Sequence, residues 1–302
     1  MSEQSSKPIV SVVLGSYNRL PYLKVALESV RRETASIPHE IIVVDGGSTD
    51  GSVKYLTQQK DVITIVQHNR GTFRGEKIKR RSWGYFMNLA FKAAQGKYIC
   101  MISDDCLFIP GALTNGVQLF EKELQSGRKI GSVAFYWRNW PEMHQYFVSI
   151  AYGTIFVNHG LYLRQALQDI GFADEDYYVF YSADLDICLR MMQAGFVCID
   201  SPESYVEHHS HANAETRQSN ESMLTQDKQR FMERWRWLAP ELTDYDKIHY
   251  LQYRSFSDQT NTADLFRKIE NAGLNAKIRR VRGISVRSFI KRLRERHKGE
   301  GQ

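Results

Sequence analysis

Short apolar runs alternate with helix-like segments through the first hundred residues of the chain. The apolar runs predict strands and lie at residues 9–14, 41–44, 62–66 and 98–102. Between them, residues 22–31 and 83–94 carry apolar side chains every three or four positions, which predicts two helices. Strands that alternate with helices are typical of a mostly parallel sheet flanked by helices. The pattern therefore predicts an α/β fold.

A polar, loop-like cluster follows each predicted strand. These clusters lie at residues 15–19, 45–51, 69–75 and 103–106. In open α/β sheets, ligands bind outside the carboxyl ends of the strands. We therefore expect the functional residues in these clusters.

The second half of the chain has a mixed pattern. It predicts a helix near 112–125, a strand near 132–136, an aromatic run at 146–156 and a helix at about 183–194 that Gly195 ends as a glycine cap. Beyond residue 215 the sequence is polar, rich in Arg, Lys and Trp, and has a helical pattern. We expect a helical, basic extension over residues 215–302.

The composition of the chain allows a globular enzyme. Of 302 residues, 42% are hydrophobic and 25% are charged, which allows a large core. The chain has no apolar stretch of roughly 18 residues, and its polar start lacks the pattern of a secretory signal, so we expect a cytoplasmic protein. The cysteines lack CxxC spacing, and we expect reduced core residues at Cys100, Cys106, Cys188 and Cys198.

Positive charge is concentrated at the end of the chain. Residues 277–302 carry ten Lys and Arg against two Glu, a net +8, which leaves −2 for the rest of a chain whose total is +6. Such a tail is most simply a solvated helix face or a segment packed on its own domain. Its interleaved apolar residues also suit an amphipathic helix, so peripheral membrane contact through 277–298 is the alternative.

Acidic residues mark three candidate sites. Asp104 and Asp105 follow a buried strand, and two adjacent carboxylates favour a bound cation, although a turn cap and a solvated side chain would also explain them. Asp45 ends another strand and suits hydrogen bonds from a base or ribose, whereas Asp50 suits a helix N-cap. In the predicted helix at 183–194, Asp186 and Arg190 are spaced for an ion pair. Asp184 is then the carboxylate available as a general base, unless it only caps the helix.

Histidines and arginines add to this set. His208 and His209 follow a strand-like segment and suit a Mn²⁺-like ion, or have structural roles; alternation along a strand points them to opposite faces. The basic residues before the helix at 83–94 suit diphosphate charge or a solvated surface equally well; they are Arg74, Lys77, Lys79, Arg80 and Arg81. Residues 71–77 lack the P-loop pattern and no GxGxxG follows the first strand, which argues against ATPase and NAD chemistry. We expect no nucleic-acid partner.

Taken in order, several segments resemble glycosyltransferase family 2. They are residues 8–13 with Ser16-Tyr17-Asn18-Arg19, residues 41–52, Asn69-Arg70-Gly71, Asn88, residues 96–105, Asp184 with Arg190, and the histidines at 208 and 209. The resemblance covers roughly residues 8–211 and implies the GT-A fold. It implies a catalytic domain at 1–214, with a nucleotide-binding half at about 8–109 and an acceptor half at about 110–214.

The resemblance also implies an activity, inverting transfer of a sugar from a nucleotide diphosphate, UDP favoured, to an acceptor hydroxyl. Asp184 would be the base, with Asp186 and Arg190 in support, and Asp105 with one of His208 and His209 would hold Mn²⁺ or Mg²⁺. The nucleotide sugar would contact Ser16, Tyr17, Asn18, Arg19, Asp45, Gly47, Asn69, Arg81, Asn88 and Asp104.

The resemblance leaves some functions open. The family's metal motif is Asp-x-Asp, and Ser103 stands at its first position here. The acceptor would be a glycan or a lipid-linked molecule in surface polysaccharide or lipid-linked glycan synthesis, with the enzyme cytoplasmic or peripheral on the inner face of the membrane. A catalytically idle binding relative, or a sugar nucleotidyltransferase, are the alternatives.

Overall fold

The computed structural model describes residues 7–209 and 214–274. Contacts group the described chain up to Thr262 into one compact unit and place the residues from Ala263 onward in a second, in which 264–274 are helical. The tail at 277–298, for which peripheral membrane contact is one of the alternatives, lies outside the described residues. In the described part, no helix combines the length and the apolar character needed to cross a bilayer.

Strands and helices alternate in the first half and mix in the second, as the pattern predicts. The strands are Val10–Ser16 (β1), His39–Asp45 (β2), Val62–Val66 (β3), Thr72–Phe73 (β4), Glu76–Lys77 (β5), Tyr98–Met101 (β6), Cys106–Phe108 (β7), Ile130–Trp140 (β8), Tyr146–Ala151 (β9), Thr154–Ile155 (β10), Gly160–Leu163 (β11), Val197–His209 (β12) and His249–Arg254 (β13). The helices are Leu20–Thr34 (α1), Ser52–Leu56 (α2), Trp83–Ala93 (α3), Ala112–Gln125 (α4), Arg164–Asp169 (α5), Ala183–Gln193 (α6), Ala214–Glu221 (α7), Leu224–Trp235 (α8) and Tyr245–Ile248 (α9).

One mixed sheet organises the larger unit. Its order is β3-β2-β1-β6-β11-β8-β9-β10; β12 pairs with β8 and β7, and β13 pairs with β9. Strands β1, β2, β3 and β6 are mutually parallel, and β11 is antiparallel to both β6 and β8. It follows that β1, β6, β8 and β12 all point the same way, so their carboxyl ends meet at one edge of the sheet. The hairpin β4–β5 stands apart from this sheet.

The two faces of the sheet are both covered, which explains the continuous apolar runs. Along β1, Val13 packs into one core cluster, together with α3 and α6, while Val12 and Leu14 pack into the other with α1 and α4. All three side chains are fully buried. Burying a valine or leucine contributes about 1.5–3 kcal/mol, so these central strands form the stable frame of the unit.

Helix ends follow their sequence signals. Ser82 caps α3, because its Oγ accepts a hydrogen bond from the Tyr85 N–H at 3.0 Å. After α6, Gly195 has φ of +79°, and the N–H groups of Gly195 and Phe196 donate back to Met192 and Met191. This confirms the predicted glycine cap.

One element differs from the helical segment expected after residue 214. His249–Arg254 is a strand, β13, and it pairs antiparallel with all of β9, from Tyr146 to Ala151. Without β13, the buried strand β9 would leave backbone N–H and C=O groups without hydrogen-bond partners, which costs free energy. The division into a 1–214 domain and a 215–302 extension stays a prediction.

Candidate active site

A cleft of about 400 Å³ opens where β1, β6, β8 and β12 end. This is the place that the polar clusters predict. Of the predicted site residues, those that line it are Ser16, Tyr17, Arg19, Asn69, Arg81, Asp104, Asp105, Asp184 and His208. The other predicted site residues are not part of this lining; they are Asn18, Asp45, Gly47, Asn88, Asp186, Arg190 and His209.

Asp104 and Asp105 face the cleft from the loop after β6 and share one cation of the chain itself. Nη1 of Arg19 lies 2.9 Å from Asp104 Oδ1 and 2.6 Å from Asp105 Oδ2. The carboxylates are almost fully buried, at 1% and 4% exposed. Arg19 therefore holds the two carboxylates in place, a role that the sequence did not indicate.

The pKa values of the two carboxyl groups separate. Burial, together with the neighbouring Asp105, raises the pKa of Asp104 to about 6, although Arg19 and Ser16 act against it. Burial would raise the pKa of Asp105 too, but the charges of Arg19 and His208 hold that pKa below its usual value. Asp105 is therefore the carboxylate that stays ionised and can hold a cation.

His208 completes a pair with Asp105. Its Nε2 lies 3.6 Å from Asp105 Oδ1, and its Nδ1 lies 2.7 Å from Asn139 Oδ1. With Nδ1 at the Asn139 amide oxygen, Nε2 is the ring nitrogen that faces the carboxylate. Asp105 Oδ1 and His208 Nε2 are therefore two neighbouring atoms that could both ligate a metal ion.

The donor set fits a divalent ion. An ion bonded to each atom at about 2.1 Å joins atoms up to about 4.2 Å apart, so Asp105 Oδ1 and His208 Nε2 can share one. Carboxylate and imidazole suit Mn²⁺, and carboxylate suits Mg²⁺. Cys106 belongs to the same cluster, within 4.8 Å. Burial raises the pKa of its thiol well above the usual value, so it stays protonated and is a weak ligand.

His209 faces away from this pair, as strand alternation predicts. Its ring is 1% exposed, stacks on Tyr22 at 5.1 Å and lies 5.5 Å from the ring of Trp140. Its backbone N–H donates to the Asp105 carbonyl at 2.9 Å. Of the two histidines, His208 is therefore the one beside the carboxylate.

Asp184 lies in the first turn of α6 and faces the cleft. Its Oδ2 accepts from Asn158 Nδ2 at 2.7 Å, and its Oδ1 accepts from the Leu185 N–H at 3.0 Å. Burial raises its pKa to about 6, and these two donors partly oppose the rise. The carboxylate is therefore mostly ionised at neutral pH but basic enough to accept a proton.

Asp186 and Arg190 form the predicted ion pair, and they point into the protein. Arg190 Nε lies 2.7 Å from Asp186 Oδ2, and its other nitrogens donate to the carbonyls of Ile170 and Phe172. Trp235 of α8 donates to Asp186 Oδ1 at 3.0 Å. The pair therefore fixes α6 rather than facing the cleft.

The loops after β1 and β2 are tied together. Both oxygens of Asp45 are used within its own loop, by the N–H groups of Gly47 and Ser48 and the hydroxyl of Ser48, at 2.7 to 2.8 Å. Asn18 Oδ1 accepts from the Thr49 N–H at 2.8 Å. Gly47 has φ of +86°, and a Cβ there would meet the His68 ring at 2.3 Å, so glycine is required. These residues shape the wall that Ser16 and Tyr17 present.

Asn69 and Asn88 have different surroundings. Asn69 lies at the cleft, where Oδ1 accepts from the Arg81 N–H at 2.6 Å. Asn88 is 2% exposed, and its amide bonds to both backbone groups of Ala173 and to Glu175 Oε1. Asn88 therefore ties α3 to the 173–175 segment, away from the lining.

Several residues at the site had no signal in the sequence. Asn158 precedes β11 and orients Asp184, while His159, which burial keeps neutral by lowering its pKa to about 3, packs 3.6 Å from Cys106 Sγ. Asp227 of α8 accepts three backbone N–H groups, from residues 179–181. None of these three residues follows a predicted strand of the first half, so only the tertiary structure brings them to the site.

Comparison with known proteins shows which family the chain belongs to. The family model described as glycosyl transferase family 2 matches residues 11–173. The chain belongs to this family, as the resemblance of its motifs indicates.

The sequence identity to individual relatives is low. The chain is 31% identical to the protein CgeD of Bacillus subtilis over 114 residues, which is 37% of this chain and 26% of CgeD. It is 28% identical over 197 residues to YwdF of the same organism, an uncharacterized glycosyltransferase, covering 60% and 67% of the two chains. The chain thus spans from about a quarter to two thirds of the length of these relatives.

A solved structure shares the fold. The mannosyltransferase PcManGT from Pyrobaculum calidifontis, solved with GDP-Man and Mn²⁺, superposes with a TM-score of 0.55 at 18% identity, over 76% of this chain and 65% of that one. The chain has the GT-A fold, which confirms the predicted fold class.

Proposed function

We propose that the chain transfers a sugar from a nucleoside diphosphate donor to an acceptor hydroxyl with inversion of the anomeric centre. The observation that carries this proposal is that Asp184 and the pair of Asp105 and His208 line one cleft. Such a displacement needs a base that deprotonates the attacking hydroxyl and a cation that stabilises the leaving diphosphate. Asp184 is the candidate for the base, and Asp105 with His208 is the candidate cation site.

In this proposal Asp184 is the base. Its carboxylate takes the proton of the acceptor hydroxyl while the hydroxyl oxygen attacks the anomeric carbon. The bond from that carbon to the diphosphate breaks with the electron pair leaving on the diphosphate, so the configuration inverts. Asn158, bonded to Asp184 Oδ2, keeps the other oxygen directed to the acceptor. Asp186 and Arg190 support the helix that carries the base.

Asp105 and His208 are the proposed ligands of Mn²⁺ or Mg²⁺. A divalent ion held by them would neutralise the negative charge that develops on the leaving diphosphate. Arg19 and Asn139 orient the two ligands, as outer partners of metal ligands do. We assign no metal contact to His209, because its ring stacks on Tyr22 instead.

The donor's nucleotide is proposed to lie along the wall formed by the loops after β1, β2 and β3. Ser16, Tyr17, Arg19, Asn69, Arg81 and Asp104 are the predicted contacts that line the cleft. Asn18, Asp45 and Gly47 are proposed to support this wall through the hydrogen bonds of their loops, and Asn88 to hold α3 in place. UDP is the proposed nucleotide by family resemblance, and the GDP-Man of PcManGT makes GDP the first alternative.

The acceptor is proposed to be a glycan or a lipid-linked molecule, and the enzyme a cytoplasmic or peripheral membrane protein of surface polysaccharide or lipid-linked glycan synthesis. The basic tail at 277–298 is the proposed membrane contact. A chain truncated after residue 274 should lose cosedimentation with anionic liposomes. Equal binding by the truncated chain would contradict the membrane contact.

The activity is tested by product analysis with a panel of UDP- and GDP-sugars. We expect nucleoside diphosphate release, and NMR of the product should show the inverted linkage. Pyrophosphate release would instead mean nucleotidyl transfer, and donor binding without release would indicate an idle relative.

The base is tested with Asp184→Asn. Removing a general base should lower turnover about 10²–10⁴-fold with donor binding retained. Asp176→Asn is the matched control, because Asp176 is an exposed carboxylate of the preceding segment and does not line the cleft. Wild-type turnover in Asp184→Asn would show that the base is another residue.

A further inference from the structure

Two arginines on one wall of the cleft converge on a single side chain of α7. Arg70 Nη2 and Arg80 Nη2 each lie 2.7 Å from Asn220 Oδ1. Their Nη1 atoms lie 3.1 and 3.3 Å from Ser219 Oγ. The two Nη2 donors are therefore no further apart than twice the 2.7 Å distance, which a single phosphate group can bridge with its oxygens.

The shared partner does not balance the charge. An amide and a hydroxyl are neutral, yet two guanidinium groups meet on them in a half-buried position. Burial and the charge of Arg70 lower the pKa of Arg80 to about 10, so Arg80 stays charged at neutral pH but at a cost. Within residues 7–209 and 214–274, Arg80 makes no ion pair. Asp227 acts on Arg80 only at longer range, since its oxygens are bonded to the N–H groups of 179–181.

Both guanidinium groups are held at the cleft. Arg70 lies over the ring of Tyr17, 5.5 Å from its centre, and Arg80 lies 5.8 Å from the centre of the Phe180 ring. All four residues line the cleft, and so does Asn220. Aromatic neighbours fix a guanidinium in direction without neutralising it, so the donors stay aimed at one point.

We propose that Arg70 and Arg80 form a phosphate-binding site, in which a phosphate oxygen replaces Asn220 Oδ1 as the shared acceptor. Guanidinium groups bind phosphate through paired, charge-assisted hydrogen bonds. The phosphate belongs either to the donor's diphosphate or to a phosphate group on the acceptor. The binding chemistry stands on the arginines alone, and only this choice of source rests on the proposed function.

The first test measures binding of inorganic pyrophosphate by calorimetry, in EDTA so that no divalent ion contributes. The variant is Arg70→Gln with Arg80→Gln, and two lost pairs of charged hydrogen bonds should weaken binding roughly 100-fold. The control is Lys77→Gln with Lys79→Gln, which removes the same charge from exposed positions of the same segment outside the cleft lining. Equal loss in both variants, or no binding by the intact chain at roughly 10 mM, would overturn the site.

A second variant keeps the arginines and changes their partner. Asn220→Asp places a carboxylate between two guanidinium groups, so the melting temperature without ligand should rise and pyrophosphate binding should weaken. A structural role of the arginines alone predicts the rise but no effect on pyrophosphate. Unchanged pyrophosphate affinity in Asn220→Asp would therefore contradict the proposal.

Comparing the binding of nucleoside diphosphates with that of nucleosides identifies the source of the phosphate. If the double arginine variant weakens binding of UDP or GDP but not of uridine or guanosine, the site takes the donor's diphosphate. If it weakens pyrophosphate binding and leaves nucleoside diphosphates unchanged, the site takes a phosphate of the acceptor. No turnover is measured, so failure of the proposed transfer reaction would leave these results intact.

Discussion

Replacing Asp227 by asparagine should strongly destabilise the protein. The Asp227 carboxylate is fully buried in α8 and accepts the N–H groups of Val179, Phe180 and Tyr181 at 2.9, 2.8 and 2.8 Å. In Asp227→Asn, one oxygen becomes an NH₂ group, which faces at least one of these donors without an acceptor. The remaining bonds lose the help of the negative charge.

The size of the effect follows from these bonds. A hydrogen bond to a charged group contributes about 1.5–3 kcal/mol and a neutral one about 0.5–1.5 kcal/mol. One lost bond and the weakening of the others give a loss of about 3–5 kcal/mol in the free energy of unfolding, a large share of the 5–15 kcal/mol typical of a domain. The held segment leads directly into α6, so Asp184 should shift as well, and a displacement of about 1 Å can lower turnover about 100-fold.

Urea unfolding and steady-state kinetics below the unfolding range measure the two effects. The matched control is Asp246→Asn in α9, whose carboxylate is 85% exposed and 4.0 Å from Lys228, and it should change stability by less than about 0.5 kcal/mol. An unfolding free energy of Asp227→Asn within about 1 kcal/mol of the parent would refute this account of the three hydrogen bonds.

Three further predictions concern the cleft and its support. Because a base must be ionised, kcat/KM should fall about tenfold per pH unit below the Asp184 pKa of about 6 and level off above it. Asn158→Ala should shift this acidic fall in kcat/KM to higher pH, because it removes a hydrogen-bond donor that lowers the Asp184 pKa. An unchanged pH profile would contradict the role of the hydrogen bond from Asn158 to Asp184. His208→Ala should abolish Mn²⁺ binding, measured by EPR of free Mn²⁺, whereas His209→Ala should keep Mn²⁺ binding and lower the melting temperature. The reverse pattern would mean that His209, and not His208, is the metal ligand. Arg190→Ala should cost about 1.5–3 kcal/mol in urea unfolding, because it removes the charged hydrogen bond of Arg190 to the buried Asp186 carboxylate and leaves only Arg234, at 3.3 Å, as its cation; a change under about 0.5 kcal/mol would contradict this.

The frame of the fold was predictable because burial on both faces leaves a strong trace in sequence. Strands β1, β2 and β6 are largely buried on both faces and appear as apolar runs. These three strands and the partly exposed strand β3 each lie within two residues of the expected position. Strand β13 left a weaker trace, since it is half exposed and its residues alternate poorly. Pairing with β9 decides its conformation, and such pairing is a property of distant residues.

The site was predictable only where a residue follows a strand or opens a helix. Asp105, Asp184 and His208 meet in the cleft because the sheet brings strand ends together. The sequence could not show that Arg19 turns back onto the aspartates, since that contact spans 86 residues. Nor could it show that Asn220 lies against both Arg70 and Arg80, at separations of 150 and 140 residues.

Through helix α8, the C-terminal part of the chain helps to position Asp184 in the cleft. Asp227 of α8 accepts hydrogen bonds from the segment before Asp184, and Trp235 of α8 donates to Asp186. The helix nevertheless lies beyond residue 173, where the family match ends. The part of the chain that the family model matches therefore depends on a helix outside it. If Asp184 is the base, as proposed, exchanging α8 between relatives should move the Asp184 carboxylate without changing the sequence of the loops after β1, β2 and β3.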